Sequence, residues 1–108
     1  VMLLPTIVQG AMGLVSGGAH IFGHEIRAIF KAFAEGDNQR AKELFVPIYR
    51  FCKSTGQNGR ILPNSILRPA IELVTGIHLG PARSPLAPAT EEEMAVTTAI
   101  LREIGKLN

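Results

Sequence analysis

Apolar residues three or four positions apart predict two long helices in the first half of the chain. The first runs from about Gly23 to Glu35, and one of its faces carries large apolar residues: Ile26, Ile29, Phe30 and Phe33. The second runs from about Asn38 to Ser54, with Asp37 as its N-cap, and Pro47 inside it predicts a kink. Its apolar stripe is formed by Ala41, Leu44, Phe45, Ile48, Phe51 and Cys52.

Glycine and capping residues predict three shorter helices. One over residues 2–9 ends at Gly10, and one from Asn64 or Ser65 to about Thr75 ends at Gly76. Thr90-Glu91-Glu92-Glu93 has the sequence of a capping box, with Thr90 as N-cap and Glu93 at N3. It predicts a last helix to about Leu107, with four residues facing inward: Met94, Thr98, Leu101 and Ile104. Between these helices, Pro81, Pro85 and Pro88 predict an extended segment without regular structure.

One segment departs from the helical spacing. Residues 11–18 form a short apolar run bounded by glycines, which is typical of a buried strand in a parallel sheet. A parallel strand needs neighbours, and no other segment of the chain has a strand pattern. Because the chain also begins with Val1 and not with Met, we expect it to be the later part of a longer protein.

Composition and charge exclude several kinds of partner and site. The net charge is +2 and the basic residues are spread along the chain, which argues against a nucleic-acid partner. No apolar run reaches the roughly 18–20 residues that a membrane span needs, so no membrane partner is expected. The single cysteine, Cys52, excludes an internal disulfide and a cysteine-based zinc cluster, and it favours a reducing, cytoplasmic location.

Three motifs carry a resemblance to a known family. Gly10-Ala11-Met12-Gly13-Leu14-Val15-Ser16 resembles the last barrel strand of the dihydrodipicolinate synthase and N-acetylneuraminate lyase family: two glycines three apart, two aliphatic residues and a serine. Ala34-Glu35-Gly36-Asp37, with Ala41 and Pro47 after it, resembles a helix junction of that family. Arg83-Ser84-Pro85-Leu86-Ala87-Pro88 is similar to its C-terminal R-x-P-L-x-P segment and is the most specific of the three.

The resemblance implies an α/β fold, of which this chain is the C-terminal part. Residues 1–36 would end a (β/α)₈ barrel with a helix, the last strand and the last helix, and residues 37–108 would form a three-helix C-terminal subdomain. Members of the family are class I aldolases and lyases, in which a lysine forms a Schiff base with pyruvate or another 2-oxo acid and a tyrosine moves protons. The resemblance further implies a cytoplasmic homo-oligomer, tetramer or dimer, in lysine biosynthesis or a related pathway, without a cofactor.

Neither reactive group of the family matches a position in this chain. The lysines and the single tyrosine lie on predicted helices outside the barrel: Lys31, Lys42, Lys53, Lys106 and Tyr49. We therefore expect no catalytic residue here and no activity from the chain without the missing N-terminal barrel segment. The resemblance places substrate-binding residues at the mouth of the last strand: Val15 through its backbone carbonyl, Ser16, Gly17, and His20, where the family commonly has asparagine.

Several residues allow a second interpretation. His20 and His24 have a spacing that could hold a metal on a helix, but no carboxylate motif completes the set, so no metal site is expected. Gly17-Gly18 before a helix could bind phosphate, and residues 81–88 resemble a PxxP ligand. The simpler interpretations are space at a strand end and a fixed connector. For the whole chain, the alternative to an enzyme portion is a non-catalytic helical interaction module, which would not need the strand at 11–18.

Overall fold

The computed structural model describes residues 2–108, which contain five α-helices. These are α1 (Leu3–Val8), α2 (Ala19–Ala34), α3 (Asn38–Ser54), α4 (Asn64–Thr75) and α5 (Glu91–Glu103). A short 3₁₀ turn, Gln57–Gly59, precedes α4. Within the described residues, no helix is long and apolar enough to cross a membrane. The chain forms two compact units, Val1–Tyr49 and Arg50–Asn108, while the expected domain boundary after residue 36 stays a prediction.

Local signals predicted most helix ends correctly. The carboxylate of Asp37 accepts a hydrogen bond from the Arg40 N–H at 2.9 Å, as expected of the N-cap of α3. Helix α4 ends at Gly76, whose φ of 71° is left-handed. Helix α5 begins with the predicted capping box, in which Thr90 and Glu93 each accept a hydrogen bond from the other's backbone N–H. Pro81, Pro85 and Pro88 lie outside regular structure, also as predicted.

Helix α2 begins earlier than the apolar pattern predicted. It starts at Ala19, but Phe22 has the non-helical angles φ −118° and ψ 20°. A first turn is thus joined to the main helix across a kink, and the regular part begins near Gly23, where the pattern placed it. Apolar periodicity detects the regular part of a helix and misses a preceding turn that has another direction.

The strand predicted over residues 11–18 is not formed. Residues 11–16 have no regular secondary structure, and the described part of the chain contains no β-strand at all. The side chains of Met12 and Val15 are 96% and 103% exposed. The reason is that a strand exists only through hydrogen bonds to a neighbour. The apolar run is typical of a buried segment. The run itself does not contain the neighbouring strand that would cover it.

The first unit buries apolar residues from each of its helices. In α2, Ile29 is completely buried, and Ile26, Phe30 and Phe33 on the predicted face are half-buried. The buried apolar residues of the unit are Leu3, Ile7, Ile21, Phe22, Ile29, Ala32, Ala41 and Ile48. This composition agrees with an aliphatic core that needs no tryptophan.

In the second unit, α4 packs against α5, and Ile66, Ala70 and Leu101 on these two helices are buried. The predicted inward face of α5 is fully buried at only one of its four positions. Leu101 is buried, whereas Met94, Thr98 and Ile104 are half-buried, and the other buried residues of the helix are Glu93 and Thr97. Neither Glu93 nor Thr97 was predicted to be buried, yet polar residues can be buried when every polar atom finds a partner.

Glu93 finds those partners in a group that we call the Glu93 cluster: Asn58, Arg60, Thr90 and Glu93. The carboxylate accepts hydrogen bonds from Arg60 Nε at 2.7 Å and Nη2 at 2.8 Å, and from Asn58 Nδ2 at 3.1 Å. Only 2% of the Glu93 side chain is exposed. Arg60 also donates to the carbonyl oxygens of Ala87 and Pro88. The cluster therefore joins the loop before α4, the proline segment and the first turn of α5.

The same contacts hold Glu93 ionised. The Arg60 hydrogen bond, followed by the one from the Thr90 N–H, lowers the pKa of Glu93 from 4.5 to about 2. A carboxyl group with a lower pKa in the folded state stabilises the fold fully above its unfolded pKa, and this contribution is lost as the pH falls toward the folded pKa. The relevant window is thus between pH 4.5 and about 2.

We predict that Glu93→Gln lowers the thermal unfolding midpoint and reduces its acid dependence between pH 4.5 and 2. The reason is that Arg60 loses its anionic partner. Glu92→Gln is the matched control, since Glu92 is an exposed residue in the same helical turn and its loss changes the net charge equally. The measurement is circular dichroism melting across this pH range. Equal acid dependence in Glu93→Gln and the unsubstituted protein would contradict the prediction.

A second prediction concerns Gly76, the left-handed residue after α4. Open space surrounds its Cα, so a methyl group there would meet no atom within 4 Å. Gly76→Ala should nevertheless cost about 1–2 kcal/mol, because an L-residue is disfavoured at this φ. Gly23→Ala is the control, since Gly23 lies inside α2 with equal space and should gain about 0.5–1 kcal/mol. Urea denaturation measures both, and the same sign for the two variants would refute the backbone explanation.

Candidate functional site

The substrate-binding residues expected from the sequence lie in the turn that leads into α2. Ser16 is half-buried, and its hydroxyl accepts a hydrogen bond from the Gly18 N–H at 3.2 Å. Its carbonyl accepts another from the Ala19 N–H at 3.2 Å. Gly18 is the N-cap residue of α2, which has no side-chain cap. Ser16 therefore satisfies the Gly18 and Ala19 N–H groups at the start of α2.

Val15 and Gly17 are exposed in the same turn. The Val15 side chain does not contribute to the apolar core. Any role that Val15 has among the described residues therefore comes from its backbone. Gly17 precedes Gly18, and a Cβ at Gly18 would lie 3.5 Å from the Ser16 hydroxyl, which is ordinary contact. Helix N-termini attract anions such as carboxylates and phosphates, but here the Gly18 and Ala19 N–H groups already donate to Ser16.

His20 lies in the first turn of α2, not in a loop as expected from the sequence. The cause is the early start of this helix, whose first turn ends at the kink at Phe22. His20 and His24 are both exposed. Among the described residues, no group of three or more histidine, cysteine, aspartate or glutamate side chains could hold a metal ion. The histidine pair therefore has no third ligand in this part of the protein.

The lysines and the tyrosine lie on helices or near a helix end. Lys31 is exposed on α2 and pairs loosely with Glu35 at 3.8 Å, and Lys42 and Lys53 are exposed on α3. Tyr49, also on α3, has its ring centroid 6.0 Å from that of Phe45. Lys106 follows the end of α5. A lysine that forms a Schiff base is typically desolvated in a pocket. Lys31, Lys42 and Lys53 are instead exposed on helix surfaces.

A second polar group was not anticipated from the sequence. The Glu72 carboxylate on α4 accepts hydrogen bonds from the Leu79 and Gly80 N–H groups at 2.6 and 2.7 Å. The Leu79 bond is the first cause that lowers the pKa of Glu72. Arg68, one turn earlier, donates to the carbonyl oxygens of Leu79 and Gly80. The Glu72 carboxylate thus binds the N–H groups of Leu79 and Gly80, and the Arg68 guanidinium binds their carbonyl oxygens. The two side chains do not pair with each other.

The comparison with known sequences decides the family. A sequence model of the dihydrodipicolinate synthetase family matches residues 1–104. The chain belongs to this family. The resemblance drawn from the glycine-rich segment at 10–16 and from the R-x-P-L-x-P segment at 83–88 is therefore confirmed.

Two curated relatives of this family member are 4-hydroxy-tetrahydrodipicolinate synthases. The protein of Symbiobacterium thermophilum is 34% identical over 108 residues, which cover 97% of this chain and 34% of the relative. The protein of Moorella thermoacetica is 32% identical over 106 residues, which cover 98% of this chain and 35% of the relative. The chain thus spans about a third of the length of these relatives.

The fold comparison gives the same result for this family member. The crystal structure of a dihydrodipicolinate synthase from Bacillus anthracis matches with a TM-score of 0.82 and 30% sequence identity. The match covers 94% of this chain and 33% of that structure. The helical arrangement described above is therefore that of one third of a dihydrodipicolinate synthase.

Proposed function

We propose that this chain is the C-terminal third of a dihydrodipicolinate synthase-like lyase. The observation that carries the proposal is the fold match to such an enzyme with a TM-score of 0.82, at 30% identity and over one third of its length. In this proposal residues 1–36 end a (β/α)₈ barrel and residues 37–108 form its C-terminal helical subdomain. Active sites of this barrel lie at the C-terminal ends of the strands, so the turn before α2 would lie at the mouth of the site.

The exposed apolar segment supports a missing neighbour. Met12 and Val15 are both apolar, yet each is almost completely exposed among the described residues. Isolated apolar residues on a surface are ordinary, but here they lie three positions apart in a segment without regular secondary structure. A barrel strand on either side would cover them and supply the missing backbone hydrogen bonds.

The reaction of the complete protein would use groups outside this chain. A lysine from the rest of the barrel would form a Schiff base with pyruvate or a related 2-oxo acid, and a tyrosine would move protons. This chain would contribute the Val15 carbonyl, Ser16, Gly17 and His20 as substrate contacts. The protein would act as a cytoplasmic homo-oligomer, tetramer or dimer, in lysine biosynthesis or a related route. The family membership argues against the alternative of a non-catalytic helical interaction module.

The first test asks where the Schiff base forms. We predict that borohydride reduction in the presence of pyruvate leaves the 108-residue chain unmodified, while the complete lyase acquires one adduct on a lysine outside residues 1–108. The reason is that the lysines of this chain lie on helix surfaces or, for Lys106, after α5. Peptide mass spectrometry locates the adduct. A stable adduct on Lys31, Lys42, Lys53 or Lys106 would disprove the assignment.

The second test concerns the proposed mouth of the site. We predict that His20→Asn in the complete enzyme changes the relative kcat/KM values for a panel of 2-oxo acids and aldehydes more than it changes stability. Val15→Ile should cost less than about 1.5 kcal/mol, since only the Val15 carbonyl is proposed to act. Val15→Pro should abolish activity, because it removes a backbone donor from a central strand. If His20→Asn keeps every ratio unchanged and Val15→Pro stays active, the mouth lies elsewhere.

A further inference from the structure

The second unit contains an open cleft that is lined by none of the residues proposed for the lyase site. Its volume is about 510 Å³. It is lined by Leu62, Asn64 and Arg68 from one segment of the chain and by residues 81–86 from another. Small-molecule sites commonly have volumes of about 300–1,000 Å³ and combine apolar walls with a few polar groups. The cleft satisfies both conditions.

The polar part of the lining is cationic. Arg68 and Arg83 both line the cleft, and no aspartate or glutamate does. Neither arginine has a carboxylate within salt-bridge distance among the described residues. No salt bridge joins Glu72 to Arg68, since Oε1 of Glu72 accepts hydrogen bonds from the Leu79 and Gly80 N–H groups and Oε2 lies 3.3 Å from His78 Nδ1. Two guanidinium groups thus line one small cleft, and neither is paired with a carboxylate among the described residues.

Arg68 is also held in place before any ligand arrives. Its Nε donates to the Gly80 carbonyl at 2.9 Å, and its Nη2 donates to the Leu79 carbonyl. Carbonyl oxygens orient the guanidinium without cancelling its charge, and they use two of its five N–H donors. The remaining donors are available to an anion. A fixed guanidinium binds a carboxylate with less loss of side-chain entropy than a mobile one.

The remaining lining residues indicate the chemistry of the middle part of a ligand that has charged ends. Leu62, Pro81, Pro85 and Leu86 provide apolar walls, and Asn64 and Ser84 add neutral polar groups. Arginine binds carboxylates with two parallel hydrogen bonds. We propose that this cleft binds a small organic dicarboxylate, with one carboxylate at Arg68, the other at Arg83, and the aliphatic middle against Leu62 and Leu86.

This assignment gives the R-x-P-L-x-P segment a role that the lyase proposal does not use. Arg83 would bind the anion, while Pro85 and Leu86 would form part of the apolar wall. Binding here needs neither the Schiff-base lysine nor turnover. It can therefore be measured separately from the proposed lyase activity, and either proposal can fail without the other.

The experiment is isothermal titration of the complete protein with succinate, in low salt. We expect saturable binding that weakens roughly tenfold or more in Arg83→Gln and in Arg68→Gln, as for the loss of a charge-assisted hydrogen bond. Arg83 is exposed and has no described partner, so its substitution leaves the fold intact even if Arg68→Gln loosens the loop at 79–80. Arg27→Gln is the matched control, because Arg27 is an exposed arginine on α2 that does not line the cleft. It should bind succinate like the unsubstituted protein.

Three outcomes would overturn the proposal. The first is no binding of succinate at millimolar concentration, and the second is equal binding by the Arg83→Gln variant and the unsubstituted protein. The third is competition by pyruvate together with insensitivity to both arginine substitutions, which would place succinate in the lyase site. Inorganic phosphate and butyrate complete the panel. The dicarboxylate assignment requires both to bind more weakly than succinate, and equal affinity for either would refute it.

Discussion

The buried carboxylate of Glu93 is the contact on which the second unit depends. It receives hydrogen bonds from the loop before α4, from the N-cap of its own helix and, through Arg60, a link to the proline segment. Burying one ion without a partner would cost several kcal/mol. The pair is tolerated because every oxygen of the carboxylate is bound and because Arg60 uses its other donors on backbone carbonyls. Removing Arg60 would leave the Glu93 carboxylate buried without its charged partner.

Helix ends could be predicted well because their signals are local. Asp37, Gly76 and the pair Thr90 and Glu93 each act on backbone groups within a few residues, so the sequence around them is sufficient. Burial could be predicted less well, because it depends on distant partners. Thr97 is completely buried only because Gln57, forty positions earlier, donates to its hydroxyl. No pattern within α5 shows that contact.

The turn before α2 and the cleft in the second unit also differ in how well the sequence alone predicted them. The turn at 15–20 was found through a motif, yet the sequence did not show that His20 would lie in a helical turn before the kink at Phe22. The cleft was missed altogether. Arg68 and Arg83 are far apart along the chain, and they line one cleft only because the backbone reverses at Gly76 and is held by Arg68 and Glu72. That reversal could be predicted from a glycine, but its direction could not.

Asn58 adds a chemical consequence to the Glu93 cluster. It has a left-handed φ of 56° and is followed by Gly59, the residue that least hinders attack of the next backbone nitrogen on a side-chain amide. This attack expels ammonia and forms a cyclic imide, which water then opens to aspartate or isoaspartate. At Asn58 the product would place a second carboxylate beside Glu93, where the amide now donates a hydrogen bond at 3.1 Å. Slow deamidation would thus replace the hydrogen bond between Asn58 and Glu93 by repulsion between two carboxylates. The long-term stability of the folded protein therefore depends on how firmly the Asn58 amide is held.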